Sequence, residues 1–390
     1  MRPKAITPIP QFPDSGAWRI PPKNSSAESP PHRHRADPAV FRDPLEPLAC
    51  AGLIRISCPI HWTPPSLAES LTERTTMTRV GTSDLDIYPL GLGSNTFGNT
   101  TGTGSSEKVL DAFVASGGNF IDTADMYSFW VPGNSGGESE KIIGEWTRRR
   151  GNRDSVIIGS KVGGLPEFKG LAPDNVARAA DASLKRLQTD YMDLYYAHFD
   201  DEITPIAEIA AAFDGLVKAG KVRYVGVSNL TPERITGWMR VAREDNLAVP
   251  VALQPQYNLV SRRNYEQNYA PLAEAHQLGV FTHSSLAKGF LTGKYRTRAD
   301  LEGAARGQAV QPYLNEAGLG VIHALEFVAS AHNASVATVT LAWLLAKPTV
   351  TAPLASATTL DQLSELLAVA NLQLSTDEVA ALDEASRPFA

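Results

Sequence analysis

NFIDTADMYSFW, residues 119–130, is the stretch on which the fold turns. It opens as a strand, because Phe120 and Ile121 are bulky and apolar and Gly117-Gly118 breaks whatever precedes them. The run turns polar at Asp122, and Tyr127 follows in a segment that no longer alternates. A buried-type strand that ends on a carboxylate and opens into a loop carrying a phenol points to a site at the strand's C-terminal edge. Taken alone, the stretch is equally compatible with an aspartate that caps a turn and a tyrosine that packs as core. Partners at later strand ends separate the two readings.

Outward from this stretch, strands and helices alternate from Met77 onward. TRVGTSDLDIYPLG reads as a hairpin with Ser83-Asp84 in the turn, and Pro89–Gly93 begins a strand. Ser105–Ser116 has helical spacing, with Ser105 or Ser106 as the cap. NFIDTA is the next strand, followed by a helix over Glu138–Arg150. SVIIGSK leads to a helix from Pro173 to Leu187, and YMDLYYAH to one over Ile203–Lys218 closed by Gly220. KVRYVGVSN precedes a helix over Pro232–Arg243 opened by Thr231, and VPVALQPQYN a helix over Tyr265–Gln277. GVFTHSSLA leads into a long excursion, Lys288–Gln311, then helices near Ala317–Ala331 and Ser335–Leu345. TVTAPLA is the eighth strand, and Leu360–Ala368 reads as the last helix. Eight strands, each followed by helix, fit a (β/α)8 TIM barrel with an N-terminal β-hairpin and a long excursion after strand 7. A doubly wound sheet fits less well, because Gly91-Leu92-Gly93 leads into Asn95-Thr96 and not into a helix.

Residues 1–76 differ from the rest: they hold 14 of the 27 prolines and clusters such as SAESPPHRHRADP without sustained periodicity. Such a segment buries too little apolar surface to offset its ordering entropy, so it reads as a disordered or misassigned extension, with Met77 as the natural start. It lacks the basic start, apolar core and small-residue cleavage site of a targeting peptide. His32 and His34 have no second pair to complete a metal set, and none is expected elsewhere.

Composition narrows the function. A net charge of −6 with no basic block argues against nucleic acid, and no apolar run approaches the roughly 20 residues of a membrane span. Two cysteines, Cys50 and Cys58, are too few for a disulfide framework, and a reducing cytoplasm is the compartment this fits. The partner expected is a small molecule, with the chain a monomer or homo-oligomer.

On a barrel, functional groups belong at the C-terminal strand ends. Those ends supply Asp122 and Tyr127, then Lys161, His198, Ser228-Asn229 and Gln254. Singly, Lys161 suits a surface charge, His198 a satisfied core histidine and Ser228-Asn229 a helix cap. Their fall at successive ends of one face argues for a site. Tyrosine, with a pKa of about 10, is a poor proton donor at neutral pH. An ammonium beside its oxygen is expected to lower that pKa, and a carboxylate beside the lysine to keep the lysine charged. Asp122, Tyr127, Lys161 and His198 together would protonate a carbonyl oxygen as its carbon receives a nucleophile, most simply a cofactor's hydride.

FIDTADMY, the GSK that ends the third strand, DLYYAH, GKVRYVGVSNL, LQPQYN and SLAKGFLTGKY together resemble the aldo-keto reductase family, in the branch of channel β-subunits and bacterial general reductases. The resemblance spans essentially all of Met77–Ala390. It implies reduction of aldehydes or ketones with NADPH held in extended form, Tyr127 as general acid, Lys161 and Asp122 tuning it, and His198 orienting the carbonyl. It also implies that Ser228, Asn229 and Gln254 hold the nicotinamide carboxamide. Ser285–Gly293, with His283, Ser284, Leu286, Gly289 and Lys294 in and around it, would meet the nicotinamide and pyrophosphate. Ser356, Thr358, Gln362 and Glu365 would meet the adenosine end.

The chain departs from the family pattern where a stacking tyrosine is replaced by His283, where a basic residue for the 2′-phosphate gives way to Ser356-Ala357-Thr358-Thr359, and where an asparagine is replaced by Leu366. Lys288 or Lys294 is left as the only cation for that phosphate, so NADPH is expected and NADH stays open. Phe97, Phe129 and Trp130 either line an apolar pocket or pack loops onto the barrel. Two other functions fit the same residues: a nucleotide-binding, redox-sensing regulatory subunit of a channel-like partner, and a Schiff-base aldolase acting through Lys161.

Overall fold

The computed structural model describes residues 77–390 except residue 305. The Pro-rich segment 1–76, with Cys50, Cys58, His32 and His34, lies outside the described residues. A hairpin of β1 (Thr78–Arg79) and β2 (Asp86–Ile87) comes first. Ser83 closes its turn, its hydroxyl donating to the Val80 carbonyl and accepting from the Leu85 amide. Eight parallel strands then form a closed barrel: β3 (Gly91–Gly93), β4 (Phe120–Asp122), β5 (Ile157–Val162), β6 (Met192–Ala197), β7 (Val222–Ser228), β8 (Ala252–Gln254), β9 (Gly279–Thr282) and β10 (Val350–Ala355), with β10 pairing back onto β3. The helices α1 (Thr103–Ala115), α2 (Glu138–Arg150), α3 (Pro173–Leu187), α4 (Ile206–Lys218), α5 (Pro232–Glu244) and α6 (Ala270–His276) each follow one of the first six barrel strands. The excursion after β9 carries α7 (Gly307–Val310), α8 (Glu316–His332) and α9 (Val336–Leu345); α10 (Leu360–Leu367) and α11 (Thr376–Ala385) follow β10. The (β/α)8 barrel, its hairpin and its long excursion are as the sequence implies.

Strand parity sorts the core into two layers. Phe120, Leu194, Tyr196, Ala252, Phe281, Ala352 and Leu354 fill the barrel interior, and Val80, Leu85 and Ile87 of the hairpin close it from below. Ile121, Ile158, Tyr195, Ala197, Val225 and Leu253 face the helices instead. Room inside is made by glycine: a Cβ at Gly226 would stand 2.4 Å from the Tyr196 ring. Continued by one more step, the same parity sets the upper rim. Asp122, Lys161, His198, Ser228, Gln254, His283 and Ser356 each stand two residues beyond an interior position (Phe120, Gly159, Tyr196, Gly226, Ala252, Phe281 and Leu354).

Four local expectations are corrected. The first turn of α1 is entered through Gly102; Ser106 lies inside it, its hydroxyl donating back to the Thr101 and Gly102 carbonyls. Helix α4 starts at Ile206, after Pro205, and Ile203 stays in the preceding loop. Tyr265–Tyr269 is a π-helical turn before α6, because Pro271 has no N–H for the i→i−4 ladder. Finally, α10 is not the last helix: α11 follows, opened by a capping box between Ser375 and Glu378.

Candidate active site

The β4 end and the loop after it bring Tyr127 back over the barrel mouth, where Asp122 and Lys161 already face inward. The Lys161 ammonium donates to Asp122 Oδ2 at 2.7 Å, to the Thr123 carbonyl at 2.7 Å and to the Tyr127 oxygen at 3.0 Å. All three of its N–H groups are therefore occupied. The Tyr127 hydroxyl donates to Asp122 Oδ2 at 3.1 Å, and Gln254 Nε2 donates to Asp122 Oδ1 at 2.8 Å. Asp122, buried at the strand end, thus receives three donors, which offsets the cost of burying its charge.

Electrostatics at this cluster differ from expectation. Burial, reinforced by the Asp122 carboxylate, holds the Tyr127 phenol well above its ordinary pKa and does not let Lys161 pull it down. Burial also lowers Lys161, against the opposing pull of Asp122. The reason is depth: Lys161 is completely enclosed, so desolvation of its charge outweighs its partners. At neutral pH the phenol keeps its proton.

His198 stands beside this group, its ring edge-on to Tyr127 at 6.3 Å and stacked on Phe199 at 4.4 Å. Burial, then Lys161 and His283, hold it well below its ordinary pKa, so the imidazole is neutral. Its Nδ1 is buried without a partner among the described residues. Asn229, in the left-handed conformation at φ 51°, donates to the His198 carbonyl at 2.9 Å and to Ser228 Oγ at 3.0 Å. Ser228 Oγ in turn donates to the Gln254 carbonyl at 2.9 Å. The structure therefore joins Asp122, Tyr127, Lys161, His198, Ser228, Asn229 and Gln254 in one hydrogen-bonded mouth.

The remaining expected contacts line the arc from β9 to α10. His283 is pushed down to about 4 by burial and Lys161, and its Nε2 is buried without a partner among the described residues. Ser284, Ala287 and Lys288 take φ values of 56°, 45° and 59°, and Gly289 follows at 97°. Such a run strains non-glycine residues and folds the segment back on itself, the Ala287 and Gly289 amides donating to the Ser284 and Leu286 carbonyls at 2.8 Å. Lys294 flanks it, with its ammonium 3.4 Å from where a Gly289 Cβ would stand, and Leu286 is partly buried at the loop's base. Within the same segment Ser285 is fully buried, donating to the Thr282 and Leu354 carbonyls. Further round, Ser356 donates to Asn95 Oδ1 at 2.8 Å, while Thr358 donates to Gln362 Oε1 through both its amide and its hydroxyl. Glu365 is exposed, and Leu366 is buried, turned towards the core.

Three aromatic residues at the mouth separate. Phe97 is fully buried and packs as core, whereas Phe129 and Trp130 are 40% and 50% exposed. Trp130 stands edge-on to Tyr127 at 6.4 Å. Two rim residues were not anticipated. Phe199 backs His198, and its signal was its place directly after a strand-end histidine. Asn95 stands two residues beyond Gly93, at the position that parity assigns to the rim.

Comparison with known proteins gives the same picture from another direction. The model of the aldo/keto reductase family matches residues 89–387. "Protein tas" of Escherichia coli strain K12 is 32% identical over 332 residues, covering 78% of this chain and 96% of its own length. A "probable voltage-gated potassium channel subunit beta" of Oryza sativa subsp. japonica is 33% identical, with 77% of this chain and 93% of that protein covered. "Aldo-keto reductase str7" of Strobilurus tenacellus is 31% identical, with 78% and 88% covered.

Proposed function

Because the chain belongs to the aldo/keto reductase family, whose members are oxidoreductases acting on carbonyl compounds, we propose that it reduces aldehydes or ketones to alcohols with NADPH. The observation that carries this is the hydrogen-bonded set Lys161–Tyr127–Asp122, with a protonated phenol at the mouth beside a neutral histidine.

The roles follow from position. Tyr127 is the general acid, giving its proton to the carbonyl oxygen as negative charge builds there. A phenol with a high pKa still serves, because the alkoxide that forms is a stronger base than phenolate. Lys161, already hydrogen-bonded to the phenol oxygen, stabilises the phenolate left behind, and Asp122 fixes Lys161 in place. His198, neutral and held by Phe199, hydrogen-bonds and orients the carbonyl oxygen. When bound, NADPH supplies the hydride that adds to the carbonyl carbon.

For the cofactor, Ser228, Asn229 and Gln254 are the donors and acceptors suited to a carboxamide, and His283 offers a flat neutral ring to the nicotinamide. The left-handed run with Ser284, Leu286, Gly289 and Lys294 suits the pyrophosphate. Ser356, Thr358, Gln362 and Glu365 suit the adenosine end. Phe129, Trp130 and Phe199 would bound the substrate with apolar area, favouring carbonyl compounds with an apolar body.

A titration of the protein's fluorescence with NADPH and, separately, NADH tests the cofactor. NADPH is expected to bind at least tenfold more tightly, with Lys288 or Lys294 supplying the cation for the 2′-phosphate. Equal affinities would recast the enzyme as NADH-tolerant, and binding of neither would end the reductase reading. The likeness to a protein named as a channel β-subunit favours a second reading, a nucleotide-binding regulatory partner; steady turnover of carbonyl compounds by the isolated chain separates the two. A Schiff-base aldolase is disfavoured because Lys161 is fully enclosed and a carbonyl carbon has no approach to its nitrogen.

A further inference from the structure

Behind the tetrad lies a second acidic group that the proposed mechanism does not use. Asp125, in the loop between Asp122 and Tyr127, is 0% exposed, and neither carboxyl oxygen has a hydrogen-bond partner among the described residues. Its backbone N–H reaches the Lys161 carbonyl at 3.3 Å, so loop and strand are tied at the point where Lys161 leaves β5. The groups bearing on its carboxyl come from four elements: Glu140 on α2, Arg186 on α3, Lys161 on β5, and the Met126 amide of its own loop. Tyr195 on β6 feels Asp125 in return, and its hydroxyl is also buried without a partner.

The two cations in this set are engaged elsewhere. Arg186 Nε is bound to Glu140 at 2.6 Å, and Ser160 Oγ also donates to Glu140. Lys161 has all three N–H groups on Asp122, Thr123 and Tyr127. A carboxylate at 125 would therefore be a buried anion with only the Met126 amide of its own loop turned towards it, next to a second buried anion at Glu140. A carboxylic acid there has no such cost. Burial first, then Glu140, push this carboxyl well above the usual range, against Arg186, the Met126 amide and Lys161.

We propose that Asp125 is a positioning residue for proton transfer: held as a neutral carboxylic acid, it leaves Lys161 bound to Asp122 and Tyr127, whereas its carboxylate would compete for Lys161 and oppose phenolate at Tyr127. Its ionisation then weakens the general acid without touching substrate. The idea rests on Tyr127 as proton donor, but its first readouts need no turnover.

The linkage sign is definite. A carboxyl raised in the folded state stabilises least once the pH exceeds its folded pKa, so the wild type loses stability as pH rises from the unfolded value of about 3.9. Asp125→Asn has no such loss, so its advantage in unfolding midpoint over wild type should be absent at acid pH and grow towards neutrality. Infrared difference spectra of wild type minus Asp125→Asn at neutral pH should show the carbonyl stretch of a buried carboxylic acid. In turnover, the alkaline limb of kcat should move to higher pH in Asp125→Asn. Should the variant not fold, the wild-type protein alone still decides: the acid band should disappear over the same pH range in which kcat falls. No acid band, or a band whose loss does not follow kcat, overturns the proposal. An acid band with an unmoved alkaline limb in Asp125→Asn overturns the role in proton transfer while leaving the assignment of Tyr127 intact.

Discussion

Tyr127→Phe should lose most of the reduction rate, with kcat lower by on the order of 10²–10⁴-fold, and should bind NADPH within a few-fold of wild type. The substitution removes one oxygen. Among the described residues at the mouth, that oxygen is the group placed to give up a proton at neutral pH, because His198 is neutral and Lys161 is enclosed. The ring remains, so Trp130 keeps its edge-on neighbour. Lys161 loses one of its three acceptors, and a buried donor left unpaired costs about 1–3 kcal/mol, so a lower unfolding midpoint should accompany the loss of rate. Stopped-flow reduction together with a nucleotide titration separates the effects. Turnover within tenfold of wild type would remove Tyr127 from the role of acid, and loss of nucleotide binding would make its role structural.

The second large effect is expected at Lys161, where activity and stability fall together. Lys161→Met takes the cation from a fully enclosed pair and leaves Asp122 buried. Breaking a buried pair on one side costs about 3–5 kcal/mol, and the donors from Gln254 and Tyr127 place this case at the lower end. Adding Asp122→Asn to Lys161→Met removes the stranded charge. The double variant should recover most of the stability in a urea melt and none of the rate, since the phenolate formed at Tyr127 then has no cation. Recovery of rate with stability would mean that Lys161 only holds the fold, and a single variant as stable as wild type would contradict the geometry of the pair.

Much of this site was legible because the barrel's parity is rigid. Once Phe120 and Tyr196 are taken as inward, Asp122 and His198 must face the mouth, and no knowledge of side-chain packing is needed. The same counting reaches Asn95, which was passed over because a short strand, Gly91–Gly93, carries almost no pattern of its own. Helix ends were legible where a side chain does the capping, as with Thr231, whose oxygen accepts the Arg234 amide. They were misread where backbone or glycine does it, as at Gly102.

What depends on depth was not legible. Sequence places Lys161 near Tyr127 but says nothing of depth: Lys161 is fully enclosed and Tyr127 partly buried, and that burial reverses the direction of the tyrosine's pKa. Phe97 and Trp130 look alike in sequence, yet one is core and the other half exposed. Asp125 went unremarked because its meaning lies in partners from α2, α3 and β6, none of them near it in the chain. Helix α11 was missed although its capping box, Ser375 with Glu378, was a readable local signal.

Hydride transfer itself is tested most directly with NADPH carrying deuterium at nicotinamide C4, supplied in separate reactions as either face-specific label, with an aromatic aldehyde such as nitrobenzaldehyde. The account predicts turnover by the purified chain and an alcohol with one deuterium on its carbinol carbon from one label only. An alcohol without deuterium from either label, or no alcohol although NADPH binds, would contradict it.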